Sequence, residues 1–351
     1  MNFDVKETLK RLCLCCGVSG SEDEACTAAA ELLKRYSNDI LLDDYGCVSA
    51  VIKKPAPGQP LVLLEAHIDE IGMLVTYIEE NGFLKVANCG GIDRRLLLAQ
   101  QVTVHGKERL KGVISAMPPH LESDEERKKT PEIEKIAVDI GMNKESAQRL
   151  IAPGDKITFD SAFRELKNDR VSVKAIDDRG GVTAVLYALE MLKEQEYPCG
   201  LSVLFSSQEE LGERGAAIGG FRIQPDISLS VDVSFGYTSD AVDYKCGKMG
   251  QGAMIGIAPS LNQEIADRLI AVAKEADIPY QLEIMEGETS TDADTIGVTG
   301  AGVKTGLISI PIRYMHTPVE TVAIGDIEAV GRLLAEYVLR FEPISERNQK
   351  L

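Results

Sequence analysis

Leu61-Val-Leu-Leu-Glu-Ala-His67-Ile-Asp69-Glu70-Ile-Gly72 begins as an almost wholly apolar run and ends in a histidine and two carboxylates. A short apolar run reads as a buried strand, and open α/β sheets bind ligands at the carboxyl ends of their strands. If the backbone stays extended, His67 and Asp69 project to the same side, whereas alternation turns Glu70 away and leaves it a structural residue. Taken alone, the motif could equally be a strand end with a solvated polar cap, so its meaning depends on the rest of the chain.

Upstream, the segment to about Cys16 looks helical, and Ser21-Glu-Asp-Glu24 is a capping box opening a second helix that runs to about Tyr36. Residues 40 to 52 read as two strands about a turn at Asp44-Tyr-Gly46. Downstream of Gly72 the texture changes to short alternating segments at 73–78, 83–87, 101–105 and 112–117, broken by Asn81-Gly82, Gly90-Gly91 and His105-Gly106. That pattern reads as a small β-barrel or sandwich, with residues 118–131 a polar surface loop and a short helix at 144–150. From about Arg170 strands (170–176, 201–206, 227–231, 280–284, 303–308) and helices (178–193, 263–276, 324–341) return. The expected architecture is one α/β domain, residues 1–71 and 165–351, interrupted by an inserted β-barrel-like domain over residues 72–164.

Composition narrows the function. The 351 residues carry 38 Lys plus Arg against 55 Asp plus Glu, a formal charge of −17, which disfavours nucleic acid and anionic membrane surfaces as partners. No apolar run approaches the roughly 18–20 residues needed to span a bilayer and the N-terminus lacks a signal-peptide pattern, so a cytoplasmic protein is expected. Cys13 and Cys16 form a lone Cys-x-x-Cys inside a helical segment and, with no second pair among the eight cysteines, read as ordinary buried thiols. With no Trp and 5% aromatic residues, a stacking platform for sugars or bases is not expected.

Four further polar clusters fall at the ends of expected strands: Asp177-Asp178-Arg179, Ser206-Ser-Gln-Glu209-Glu210, Asp232, and Arg313-Tyr-Met-His316-Thr-Pro-Val-Glu320. Each alone is an ordinary cap or solvated helix start. Together they are harder to dismiss, because two of the four histidines fall in these strand-end motifs, while His105 and His120 lie in the inserted segment as ordinary surface or turn residues. His67, Asp177, Glu210, Asp232 and His316 make two imidazoles and three carboxylates, a donor set suited to two divalent metal ions. Acids massed in one cleft repel each other without cations. Such a pair supplies a hydroxide nucleophile and a Lewis acid; Glu209 is the candidate proton shuttle and Asp69 the carboxylate that orients His67. Spacing does not decide whether Asp177 or Asp178 bridges.

These motifs, His67-x-Asp69-Glu70-Ile-Gly, Asp177-Asp178-Arg179-x-Gly, Glu209-Glu210-x-Gly-x-Arg214-Gly-Ala, Asp232 and Arg313-Tyr-x-His316-Thr-Pro-x-Glu320, resemble the M42 family of metallo-aminopeptidases across essentially the whole chain. The resemblance implies a mixed-sheet α/β/α dinuclear-metal exopeptidase domain with zinc or cobalt as the metals. It implies His67 and Asp232 on one metal, Glu210 and His316 on the other, Asp177 bridging, Glu209 as general base to a metal-bridging hydroxide, Asp69 orienting His67, and a cis peptide between Asp177 and Asp178. It also implies a homo-oligomer, a dodecamer of dimers joined through the inserted barrel, and a Thr291-Asp292-Ala293 segment near the site.

The function expected is therefore removal of N-terminal residues from short peptides. A related dinuclear amidohydrolase, such as a deacylase or carboxypeptidase, is the alternative. A glycosidase built on Glu209 and Glu210 is the more distant one, because it would leave both histidines without a role. A non-catalytic oligomeric shell whose metals only hold the fold would leave Glu209 without a role. The preferred N-terminal residue is not encoded in any motif.

Overall fold

The computed structural model describes residues 3–343 except 122, 124, 126, 127, 243 and 244. In chain order the elements are α1 (Val5–Cys13), α2 (Asp23–Leu33), β1 (Ile40–Leu42), β2 (Val48–Lys53), β3 (Leu61–His67), β4 (Gly72–Ile78), β5 (Leu84–Cys89), β6 (Gln101–His105), β7 (Arg109–Ile114), β8 (Ala137–Asp139), α3 (Lys144–Leu150), β9 (Lys156–Phe159), β10 (Arg164–Leu166) and β11 (Arg170–Val173). They continue with α4 (Ile176–Leu192), β12 (Gly200–Ser206), α5 (Arg214–Ile223), β13 (Ile227–Phe235), β14 (Ala253–Ile257), α6 (Gln263–Glu275), β15 (Tyr280–Ile284), α7 (Asp292–Gly297), β16 (Lys304–Ile312), β17 (Glu320–Ala323) and α8 (Ile324–Leu339).

The main sheet has eight strands in the order β1-β2-β12-β3-β13-β16-β14-β15. It is mixed: β3 runs parallel to both neighbours, β13 parallel to β16, and β14 antiparallel to β16. Central position explains the apolar character of β3. Val62, Leu64 and Ala66 enter the core shared with α1, α4 and α8, while Leu63 enters a smaller cluster on the other face with Leu204, Ala216 and Ile296. Each fully buried aliphatic side chain contributes roughly 1.5–3 kcal/mol, so a one-residue slip of β3, which would exchange its two faces, is strongly disfavoured. With β12, β3, β13 and β16 all parallel, their carboxyl ends open on one side of the sheet, and the polar clusters gather there.

Six strands, β4-β5-β8-β7-β6-β9, close into a barrel with a separate core that includes Met73, Val75, Leu84, Val102 and Ile157. The chain enters it directly from the His67 motif. Among the described residues no helix is long and apolar enough to cross a membrane.

Several local expectations shift. The capping box at Ser21 and Glu24 does not form: α2 is preceded by Glu22, whose carboxylate accepts from the Gly20 N–H at 2.6 Å. The strand expected over 170–176 stops at Val173, because Ala175 adopts a left-handed conformation (φ +57°) that starts the turn into α4. The expected strand 112–117 is displaced to Arg109–Ile114. Part of the polar loop 118–131, residues 122, 124, 126 and 127, lies outside the described residues; nearby, Pro119–Leu121 form a 3-10 turn.

Candidate metal centre

His67 is the last residue of β3, and Asp232 lies in β13 near its carboxyl end. Glu209 and Glu210 sit in a 3-10 turn just beyond β12, Asp177 is in the first turn of α4, and His316 belongs to the segment between β16 and β17. These separate elements converge. His67 Nε2 lies 3.0 Å from Asp177 Oδ1 and 3.9 Å from Asp232 Oδ1. His316 Nε2 lies 3.3 Å from Asp177 Oδ2 and 3.2 Å from Glu210 Oε1. Two groups result, His67–Asp177–Asp232 and Asp177–Glu210–His316, each with its donor atoms within 4.8 Å of one another and with Asp177 common to both. Asp178 belongs to neither: its Oδ1 accepts from the Gly181 N–H at 3.0 Å and its side chain is fully buried. The Asp177–Asp178 peptide is cis.

The ring orientations suit metal ligation. His316 Nδ1 donates to the Gly91 carbonyl at 2.8 Å, and Asp69 Oδ1 stands 3.5 Å from His67 Nδ1, so in both rings Nε2 is the atom turned to the shared aspartate. Asp69 also accepts from the backbone N–H groups of Glu209 (3.0 Å) and Glu210 (3.2 Å) and from the Ser19 hydroxyl. One carboxylate thereby fixes the turn that carries both glutamates. Glu209 itself is in neither ligand group, and its Oε2 is 4.0 Å from His67 Nε2. Non-glycine residues in the left-handed region cost of order 1–3 kcal/mol and gather at functional sites; here Ala175 (φ +57°), Gln208 (φ +55°) and His316 (φ +61°) all border or belong to the centre.

The electrostatics carry one message. Burial opposes charge on His67, yet the Asp177 and Asp69 carboxylates outweigh it and raise the imidazole well above its ordinary value. Burial likewise opposes His316, which Asp177 and Glu210 push up to about 11. Asp177, despite a burial that would raise it, is held far below the carboxylate range by His316 and His67. Burial and the neighbouring carboxylate charges raise Asp178, Asp232 and Glu210, and they push Glu209 up to about 10. The cluster holds more acids than its imidazoles can neutralise, the situation that divalent cations relieve.

Three residues outside the candidate ligand and catalytic set build the centre from behind. The buried Glu320 accepts from the Asp177 N–H (3.1 Å) and the His316 N–H (3.0 Å), tying two ligand segments together. Glu70, structural as expected, receives Lys174 Nζ at 2.6 Å, Arg179 Nη2 at 3.2 Å and the Gly17 N–H at 3.0 Å. Gly91 presents its carbonyl to His316 from the barrel, and no strand or helix pattern marks it. Only the position of Glu320 four residues after His316 offered a hint.

The M42 glutamyl aminopeptidase family profile matches residues 46–333. The chain belongs to the M42 peptidase family. A putative aminopeptidase of Acetivibrio thermocellus is 35% identical over 339 residues, 95% of this chain and 98% of that protein. The aminopeptidase APDkam598 of the archaeon Desulfurococcus kamchatkensis superposes with a TM-score of 0.90 at 33% identity, covering 96% of this chain and 94% of its own. The TET1 peptidase of Pyrococcus horikoshii, which can assemble into a tetrahedron or a large octahedral shell, gives 0.85 at 31%, covering 96% and 100%. This M42 chain is thus an enzyme of the peptide-bond hydrolases, with the mixed α/β fold and closed barrel of its relatives.

Proposed function

We propose that the chain is a metal-dependent aminopeptidase that removes the first residue of short peptides, using two divalent ions, zinc or cobalt, per subunit. The observation that carries this is the shared aspartate: Asp177 offers one oxygen to the group with His67 and Asp232 and the other to the group with Glu210 and His316. His67 and Asp232 would hold one ion, Glu210 and His316 the other, and Asp177 both. Bound there, the ions supply Lewis acidity toward water and toward the substrate carbonyl.

The protein's own groups do the rest. Glu209, beside both groups and a member of neither, takes the proton of the attacking water and delivers it to the departing amine. Asp69 keeps the His67 ring in place and holds the Glu209–Glu210 turn through two backbone N–H bonds. A cavity of about 1070 Å³ opens beside the centre, where the peptide end would enter. We extend the proposal to assembly in the cytoplasm: the barrel, residues 72–164, joins copies of the chain into dimers that build a dodecamer; the TET1 relative can itself assemble into a tetrahedron or a large octahedral shell.

The test is Glu209→Gln. Metal content by mass spectrometry should stay at two ions per chain while turnover of aminoacyl amides falls by roughly 10²–10⁴-fold; undiminished turnover would remove Glu209 from the mechanism. Parent enzyme that cleaves acylated but not free N-termini would identify a deacylase instead. Light scattering reads the assembly state directly.

A further inference from the structure

The cleft at the metal centre continues into a cavity of about 1070 Å³ lined by the ends and faces of β13, β16, β14 and β15. Strand registers set its layout. Asp232 pairs with Ser309, Ser309 pairs with Met254, and on the far side Gly256 pairs with Glu283 of the edge strand β15. The half-buried Glu283 reaches back across β14, accepting from the Ser309 hydroxyl at 2.6 Å and from the Ser234 hydroxyl. Its carboxylate therefore lies against the two strands that neighbour the centre.

Adjacent strands are about 5 Å apart, so Ser309 stands one strand spacing from the ligand-group residue Asp232, and Glu283 reaches Ser309. A lysine side chain extends roughly 6 Å from its Cα, the right order for an N-terminal residue bound at the centre to touch Glu283. A carboxylate has about four acceptor positions, and the two serines occupy two of them. Apolar residues of the cavity, Met254, Leu282, Met285 and Leu307, suit a methylene stem. Among the described residues, its acidic and basic lining outside the metal centre is Glu283, Glu286 and Glu288 against Lys245.

Resting on the aminopeptidase function proposed above, we infer that this cavity receives the side chain of the substrate's first residue and that Glu283 selects a cationic one, lysine or arginine. Burial pushes the Glu283 carboxyl above its ordinary range. An entering cation would favour the charged form of Glu283 and pair with it, whereas an entering carboxylate would find no such partner in Glu283.

The metal-loaded, full-length enzyme would be assayed with lysyl, arginyl, leucyl and glutamyl p-nitroanilides. The expected order puts lysyl and arginyl above leucyl in kcat/KM by about tenfold or more, with glutamyl lowest. In Glu283→Gln the lysyl-to-leucyl ratio should fall about tenfold. A parent enzyme that prefers leucyl or glutamyl substrates overturns the inference without any variant, and so does an unchanged ratio in Glu283→Gln. Absence of turnover on every amide counts instead against the aminopeptidase function.

Discussion

Replacing Glu70 by Gln probes the support behind the centre more sharply than any ligand substitution. The carboxylate is shared by two cations, with side-chain exposures of 3% for Glu70, 7% for Lys174 and 0% for Arg179. Arg179 also donates to the carbonyls of Leu12, Cys15 and Ile68, so the same ion group ties the end of α1, the His67 motif and the start of α4. Glutamine keeps the shape but withdraws the only acid in contact with either cation among the described residues. Breaking a buried pair by removing one partner costs roughly 3–5 kcal/mol. The loss should sit toward the upper end, because one substitution strands two charges and the guanidinium does not deprotonate. Lys174→Met leaves Glu70 with Arg179, so its loss should be clearly smaller. Equilibrium urea unfolding followed by circular dichroism, with and without added metal, measures both. A Glu70→Gln variant within about 1 kcal/mol of the parent, or one no less stable than Lys174→Met, would refute the reasoning.

Other perturbations follow from the centre itself. In the metal-free chain the raised His316 value, about 11, contributes stability that is complete below the ordinary imidazole range near 6.5 and is lost as pH rises toward 11; thermal melts of metal-free protein across that window should show the decline. Metal uptake must displace those protons, so titration calorimetry in buffers of different ionisation enthalpy should report proton release at neutral pH. Gly91→Ala would place a Cβ 2.9 Å from His316 Nδ1, turning the ring from its carbonyl partner, and should weaken binding of one ion by roughly 10–100-fold while sparing the other. Glu320→Ala removes the acceptor for the N–H groups of Asp177 and His316 and should lower stability by about 1–3 kcal/mol together with metal affinity, read by unfolding and by competition with a chelator.

What could be read from the residues was mostly what periodicity and chemistry encode locally. The apolar β3, buried on both faces, and the helices expected over 144–150 and 263–276 announced themselves through pattern, the second ending one residue early at Glu275. The strand at 253–257 and the helices α5 and α7 did not, since Ala253–Ile257 is brief and Arg214–Ile223 is broken by paired glycines. The candidate ligand residues stood out because two histidines and several acids coincided with strand ends. Their second contacts did not: Gly91 acts through a carbonyl, which every residue possesses, and Glu283 through a register set by strands from distant parts of the chain. Asp69 was legible as a partner for His67, whereas its bonds to the Glu209 and Glu210 amides depend on how β12 ends beside β3.

The bond from His316 to Gly91 changes what the barrel is. It lends a carbonyl that holds one imidazole in a single tautomer and rotation, so the candidate metal centre extends into a module with its own core. Exchanging the module for a short linker would remove the carbonyl partner of His316 Nδ1 and leave the ring held only through its Nε2 contacts to Asp177 and Glu210. A force or contact on the barrel wall reaches the centre through that peptide plane as well as along the chain that runs from the His67 motif into β4.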